Sequence, residues 1–173
     1  MNIFVLHFIP SKAAQYHNNK HVVKMILEYA QLLCTAHHIL DAQILTPELT
    51  HNLYKKTHEN HPCAIWTRTS SQNYIWLFEL FSELCSEYTF RYGKIHKTEQ
   101  KLKTILENLP HRIPHGELTP FPLAMPDNCK NIENPILSYQ WYYIKYKQHI
   151  AQWKNRPIPH WFKTIPLYAL KFI

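Results

Sequence analysis

Two glycines, Gly93 and Gly116, are all that the 173 residues contain. No glycine-rich phosphate cradle and no dinucleotide fingerprint can be built from them, which excludes a Rossmann enzyme and a P-loop nucleotidase. Charge is sparse as well, at 18% of residues against 46% apolar and 14% aromatic. That composition belongs to a globular protein with a large aromatic core, not to a disordered chain. No run of eighteen apolar residues occurs, and the apolar opening MNIFVLHFIP has neither a basic leader nor a small-residue cleavage site. The expectation is a cytoplasmic protein with no membrane span and no secretory signal. Cys34, Cys63, Cys85 and Cys129 are far apart, with no CxxC. They read as reduced core thiols rather than as a disulfide framework or a zinc site.

What charge there is lies unevenly. Residues 1–86 hold 6 Lys and Arg against 6 Asp and Glu, whereas residues 87–173 hold 13 against 6. An excess confined to one half suits a polyanionic partner, nucleic acid and DNA first, ahead of an anionic membrane.

The pattern along the chain predicts a mostly α, single compact domain over 1–173. Residues 2–9 (NIFVLHFI) form a short strand or buried extended segment closed by Pro10. A helical period follows over 11–40, with Ser11 as its N-cap, and Pro47 opens a short helix. ENHP at 59–62 is a break. A long helix runs from about Ser70 to Tyr92, where Gly93 ends it, and a short amphipathic one covers 98–109. Residues 110–135 carry six prolines, too many for regular structure, and are expected to cross the surface as an extended connection. Residues 136–154 are helical again.

The first long helix carries the chemistry. On a wheel, His17, Lys20, His21, Lys24, Glu28, Gln31, Thr35 and His38 share an arc of about 100°, and the rest of the surface is apolar. Such a helix is expected to be central, wrapped on three sides, with its polar stripe lining a cleft. His21, Lys24 and Glu28 fall on successive turns, close enough for coupled protonation, with Glu28 held ionised by Lys24 and His21. As metal ligands His17, His21 and Glu28 cannot close on one ion without a ligand from elsewhere, for which His37, His61 and His96 are candidates. HNNKH has the spacing of HExxH but Asn18 where the glutamate belongs, and Glu28 lies about 10 Å along the axis from His21. No metal and no cofactor are expected.

Three further segments offer contacts to nucleic acid. In WTRTSSQNYIW, Arg68 and Asn73 flank Ser70 at a helix start that would attract a phosphate. In EYTFRYGKIHK, Arg91, Lys94 and Lys97 interleave with Tyr88, Phe90 and Tyr92, a pattern for backbone neutralisation with base stacking, although Glu87 and Arg91 at i,i+4 can equally brace each other. In the last third, Tyr139, Tyr142, Tyr143, Tyr146, Ile150 and Trp153 make an aromatic stripe flanked by Lys145, Lys147, Lys154 and Arg156. His17 joins the contact set from the first helix.

The segments HNNKHVVKMILEYAQLLCTAH, WTRTSSQNYIWL, EYTFRYGKIHK, PLAMPD and WYYIKYKQHIAQWKNRPIPHWF together resemble a group of uncharacterised bacteriophage and bacterial proteins over nearly the whole chain. That likeness implies no chemistry. A second, weaker one does. His21 and Glu28, FRYGK at 90–94 and WYYIKY at 141–146 follow the order seen in the pyrimidine-dimer DNA glycosylases of the endonuclease V type. The resemblance implies a compact, basic, helical protein in which an N-terminal amine attacks the deoxyribose C1′ and Glu28 is the catalytic glutamate. The chain departs from that family at its second residue, since Asn2 hinders removal of Met1; the amine is then that of Met1 or of Lys24, or the chemistry is missing. Besides this glycosylase/lyase reading, two others fit: a non-catalytic nucleic-acid-binding or phage-associated adaptor, and an enzyme acting on a nucleotide-like small anion.

Overall fold

The computed structural model describes residues 1–163; the last ten positions of the expected domain lie outside the described residues. Seven α-helices follow one another: α1 (Pro10–Tyr16), α2 (Asn19–Leu40), α3 (Pro47–Asn52), α4 (Pro62–Thr69), α5 (Ser71–Tyr92), α6 (Lys97–Leu106) and α7 (Pro135–Tyr146). Short 3₁₀ turns occupy Asp127–Cys129, Gln148–Ile150 and His160–Lys163. No strand occurs among the described residues, and no helix among them is long and apolar enough to cross a membrane.

Local chemistry sets the boundaries. Proline opens α1, α3, α4 and α7, at the position where its missing N–H costs nothing. The Ser70 side chain accepts from Asn73 N–H to start α5, and Gly93 ends it at φ 67°, a left-handed conformation that a side chain would strain. The helical period expected over 11–40 is in fact two helices. His17 and Asn18 are extended, the Asn18 side chain accepts from His21 N–H, and Asn19 N–H donates to the Gln152 carbonyl. An interior turn therefore replaces the single helix, and His17 stands outside α2. At the other end, α7 stops at Tyr146, eight residues before the expected helical stretch does.

α2 and α5, each 22 residues long, cross at the centre of one buried cluster. α1 lies on α5, while α4 and α6 lie on α2. Burial of α2 is extensive, but its open face is turned from the expected one. Val23 and Leu27 are exposed, whereas His21 and Thr35 of the polar arc are buried. The cause is tertiary: the N-terminal segment and α7 cover the His21 side, a placement that wheel geometry does not contain.

Residues 2–6 are buried and pair into no sheet, and Leu6 N–H turns back to the Phe4 carbonyl (3.0 Å). The proline-rich connection does cross the surface, and it also has a definite task. Ser71 and Gln72 N–H donate to the Pro114 and Gly116 carbonyls, so the connection satisfies the free N–H groups that begin α5. All four cysteines are buried, and burial pushes the Cys34 and Cys63 thiols up to about 12.

Candidate functional site

The N-terminal segment is fastened to α2 by a chain of hydrogen bonds whose directions follow from elimination. A carbonyl only accepts, so His17 Nδ1 donates to the Ala13 carbonyl (2.7 Å) and its Nε2 accepts from the Tyr29 hydroxyl (2.8 Å). That hydroxyl in turn accepts from Phe4 N–H (3.1 Å). Burial brings His17 down to about 4, in keeping with a neutral ring at neutral pH. One step earlier, Asn2 Nδ2 donates to the Ala124 carbonyl (2.8 Å), and its Oδ1 accepts from Ile3 N–H (2.8 Å). The Tyr139 hydroxyl shares its proton between Asn2 Oδ1 (3.0 Å) and the Pro122 carbonyl (2.6 Å).

Asn2 is thus the anchor that aims the first residue. The Met1 amine lies 3.6 Å from Glu28 Oε2, while Lys24 Nζ lies 3.0 Å from Glu28 Oε1. The two partners are held differently: the Met1 side chain is 3% exposed and that of Lys24 69%, with Glu28 between them at 13%. The three groups border a recess of about 240 Å³ completed by Asn2, Phe4, His21, Ala124, Tyr142 and Lys147.

His21 enters this recess as a neutral ring. Burial first, then the neighbouring His17, which would have to share its charge, and the cations of Lys147 and Lys24, drive it down to about 2. Its Nδ1 is hydrogen-bonded to the Tyr143 hydroxyl (2.5 Å). The Phe4 ring stacks on the imidazole at 4.3 Å between centroids. The expected help of His21 to Glu28 is therefore corrected: an uncharged ring supplies no charge, and the groups within ion-pair distance of the carboxylate are the Met1 amine and Lys24. Chemically the recess offers two amines, one mostly buried carboxylate, a neutral imidazole and the cation of Lys147.

Neither a family model, nor a curated protein, nor a solved structure matches this chain.

The other expected contacts fare differently. His17 is buried with both ring nitrogens engaged, so it is withdrawn as a surface contact. Asn73 is buried too, donating to the Trp66 carbonyl and Thr119 Oγ1 and accepting from Thr119 N–H. The helix start expected to attract a phosphate is closed by the connection. Arg68 turns back to the Glu59 carbonyl (2.8 Å). Arg91, 1% exposed, donates to Glu87 (2.6 Å), Asn19 Oδ1 (3.0 Å) and the Gln15 carbonyl (2.9 Å), so its bracing role excludes a phosphate contact. Arg156 meets the other oxygen of Glu87 at 2.8 Å. Lys94, on the link between α5 and α6, and Lys97, the first residue of α6, are exposed and do not border the recess.

Tyr142, Lys147, Asn2 and Phe4 complete the site without having been singled out as site residues. Tyr142 and Lys147 belonged to a stripe and its flank; only tertiary structure brings the end of α7 to α2. A larger recess of about 430 Å³ lies at the far end of α2, beside His37 and Asp41. Two of its polar side chains are already engaged: Asp41 accepts from His111 and Arg112 N–H, and His37 pairs with the Tyr74 hydroxyl. Among the described residues no three His, Cys, Asp or Glu side chains converge as a metal site.

Proposed function

We propose that the recess at Met1 and Glu28 processes DNA as a base-excision glycosylase and abasic-site lyase, with the Met1 amine as nucleophile. The observation that carries this reading is the amine set 3.6 Å from a mostly buried carboxylate whose other oxygen holds Lys24. Pairing of an amine with a proton-accepting group at short range is what imine chemistry on a sugar carbon requires.

The steps balance on those groups. The unprotonated amine attacks C1′ of a deoxyribose, and the new C–N bond forms as the bond to the base breaks, the base leaving with the electron pair and taking up a proton. Loss of a proton from nitrogen and opening of the ring give an imine. Glu28 removes a C2′ proton, and the electron pair expels the C3′ oxygen with its phosphate, cutting the strand. Water then hydrolyses the imine. Lys24 and Lys147, at the rim, supply positive charge for the flanking phosphates. The setting is the cytoplasm and the partner is DNA.

The test is borohydride trapping on abasic, ultraviolet-damaged and undamaged DNA, with the adduct located by mass. Capture of abasic DNA on the peptide containing Met1 is expected, since only an imine is reduced in place. Folded protein that gives no adduct on any substrate overturns the glycosylase/lyase reading and leaves a non-catalytic DNA-binding protein. One observation favours a further reading: a 240 Å³ recess with three amines around one carboxylate also suits a nucleotide-like small anion. Absence of DNA binding at low ionic strength would decide for that alternative.

A further inference from the structure

Half of the aromatic stripe on α7, and Trp141 beside it, is consumed by the fold. Tyr139 and Tyr143 are buried with bonded hydroxyls, and Trp141 is buried. Tyr142 is different. It is half-buried on the wall of the recess, and among the described residues its hydroxyl takes no hydrogen bond. Its ring lies nearly parallel to Phe4, 14° between planes with centroids 6.1 Å apart, and Phe4 itself stacks on His21. Outward, Tyr146 follows at 5.6 Å and is exposed. Four rings, His21, Phe4, Tyr142 and Tyr146, therefore lead from the floor of the recess to the surface. Lys147 Nζ stands 4.9 Å from the centroid of the Tyr142 ring and forms no ion pair among the described residues.

A ring wall with a cation over its face that pairs with no carboxylate among the described residues matches one nucleotide. The base finds a π-face, the phosphate an ammonium, and the sugar a recess too small for a drug-sized ligand. A sugar inside a paired duplex cannot enter such a recess, because the bases hold it in the stack. We infer that Tyr142 and Lys147 form the wall that receives a single unpaired nucleotide, its base on the Tyr142 ring and its phosphate on Lys147, while its sugar faces Glu28. This rests on the DNA-processing reading above. Because every base offers a π-face, the wall is indifferent to base identity.

The test measures binding by fluorescence anisotropy at low salt, using duplexes of equal length with and without one bulged nucleotide. Wild-type protein is expected to bind the bulged duplex about tenfold more tightly, in line with the loss of one stacked base. Tyr142→Phe keeps that ratio and Tyr142→Ala brings it near one. Lys147→Ala weakens binding of the bulged duplex and lowers the slope of log affinity against log salt by about one. With 2-aminopurine at the bulge, stacking on Tyr142 quenches the fluorescence of the wild-type complex, a readout that needs no variant. Equal binding of both duplexes by wild-type protein, or an unchanged ratio in folded Tyr142→Ala, overturns the wall while leaving DNA binding intact. Free deoxynucleoside monophosphate bound more tightly than any duplex also overturns it. No binding to any DNA removes the underlying reading instead.

Discussion

Glu28 receives the Met1 amine on one carboxylate oxygen and Lys24 on the other, so one side chain of α2 holds two amines that are 23 residues apart in sequence. The two contacts differ in kind. A Lys24 ammonium open to water is a weakly held surface partner, worth little energetically, whereas Met1 is fixed by the burial of its side chain.

Glu28→Gln keeps the shape and removes the charge. Turnover on abasic DNA is expected to fall by about 10²- to 10⁴-fold, the usual range for a positioned proton-transfer group, with DNA affinity changed by only a few-fold. Single-turnover cleavage and anisotropy on the same preparation check this. A loss of affinity in parallel with rate would make Glu28 a binding residue.

The anchor predicts a different signature. Asn2→Ala removes the donor to Ala124 and the acceptor for Ile3 and Tyr139. A stability loss of about 1–3 kcal/mol is expected from the polar groups left unpaired. Cleavage should fall further than that loss explains, because the amine is no longer aimed. Lys24→Ala, by contrast, should retain the borohydride adduct on Met1. An adduct abolished by Lys24→Ala and preserved in Asn2→Ala would assign the chemistry to Lys24.

Most of this architecture is legible in side-chain periodicity and caps. The Ser70 cap, the Gly93 stop and the proline-opened α3 come where sequence chemistry puts them, because each is a local effect of one residue on its own backbone. The grouping of His21, Lys24 and Glu28 is legible for the same reason: successive helical turns need no tertiary knowledge. Partner choice is not. Arg91 and Lys94 look alike in FRYGK, yet Arg91 points inward to Glu87 and the start of α2 while Lys94 faces solvent. Asn2 reads in sequence as an obstacle to processing of Met1; its function as an anchor depends on Ala124 and Tyr139, both more than 120 residues away.

The Arg91 arrangement separates loss of fold from loss of contact. Glu87→Gln leaves Arg91 buried without its anion and frees Arg156, so unfolding should be easier by about 3–5 kcal/mol. Thermal melting should shift strongly for that variant. Charge reversal at exposed Lys94 and Lys97 should leave melting nearly unchanged. If Glu87→Gln melts like the wild type, the buried network contributes nothing to the fold and Arg91 returns as a candidate contact.

Acid stability follows from the buried histidines. His17 and His37 are held down to about 4, chiefly by burial, and His21 further still, while a histidine in the unfolded chain titrates near 6.5. Their folded values are depressed, so the stability they contribute is fully present above pH 6.5. As pH falls below 6.5 the unfolded chain gains protons that the folded protein does not take up, and each such histidine costs about 1.4 kcal/mol per pH unit. For His17 and His37 that loss levels off near pH 4, where the folded rings also accept a proton. Urea midpoints should therefore fall steadily between pH 6.5 and pH 4. His17→Gln should start less stable at pH 7, because the relay from Ala13 to Tyr29 is disturbed, yet lose less on acidification by the equivalent of one proton. A wild-type midpoint that is flat across this interval would mean that water or a protonated state reaches these rings in the folded protein.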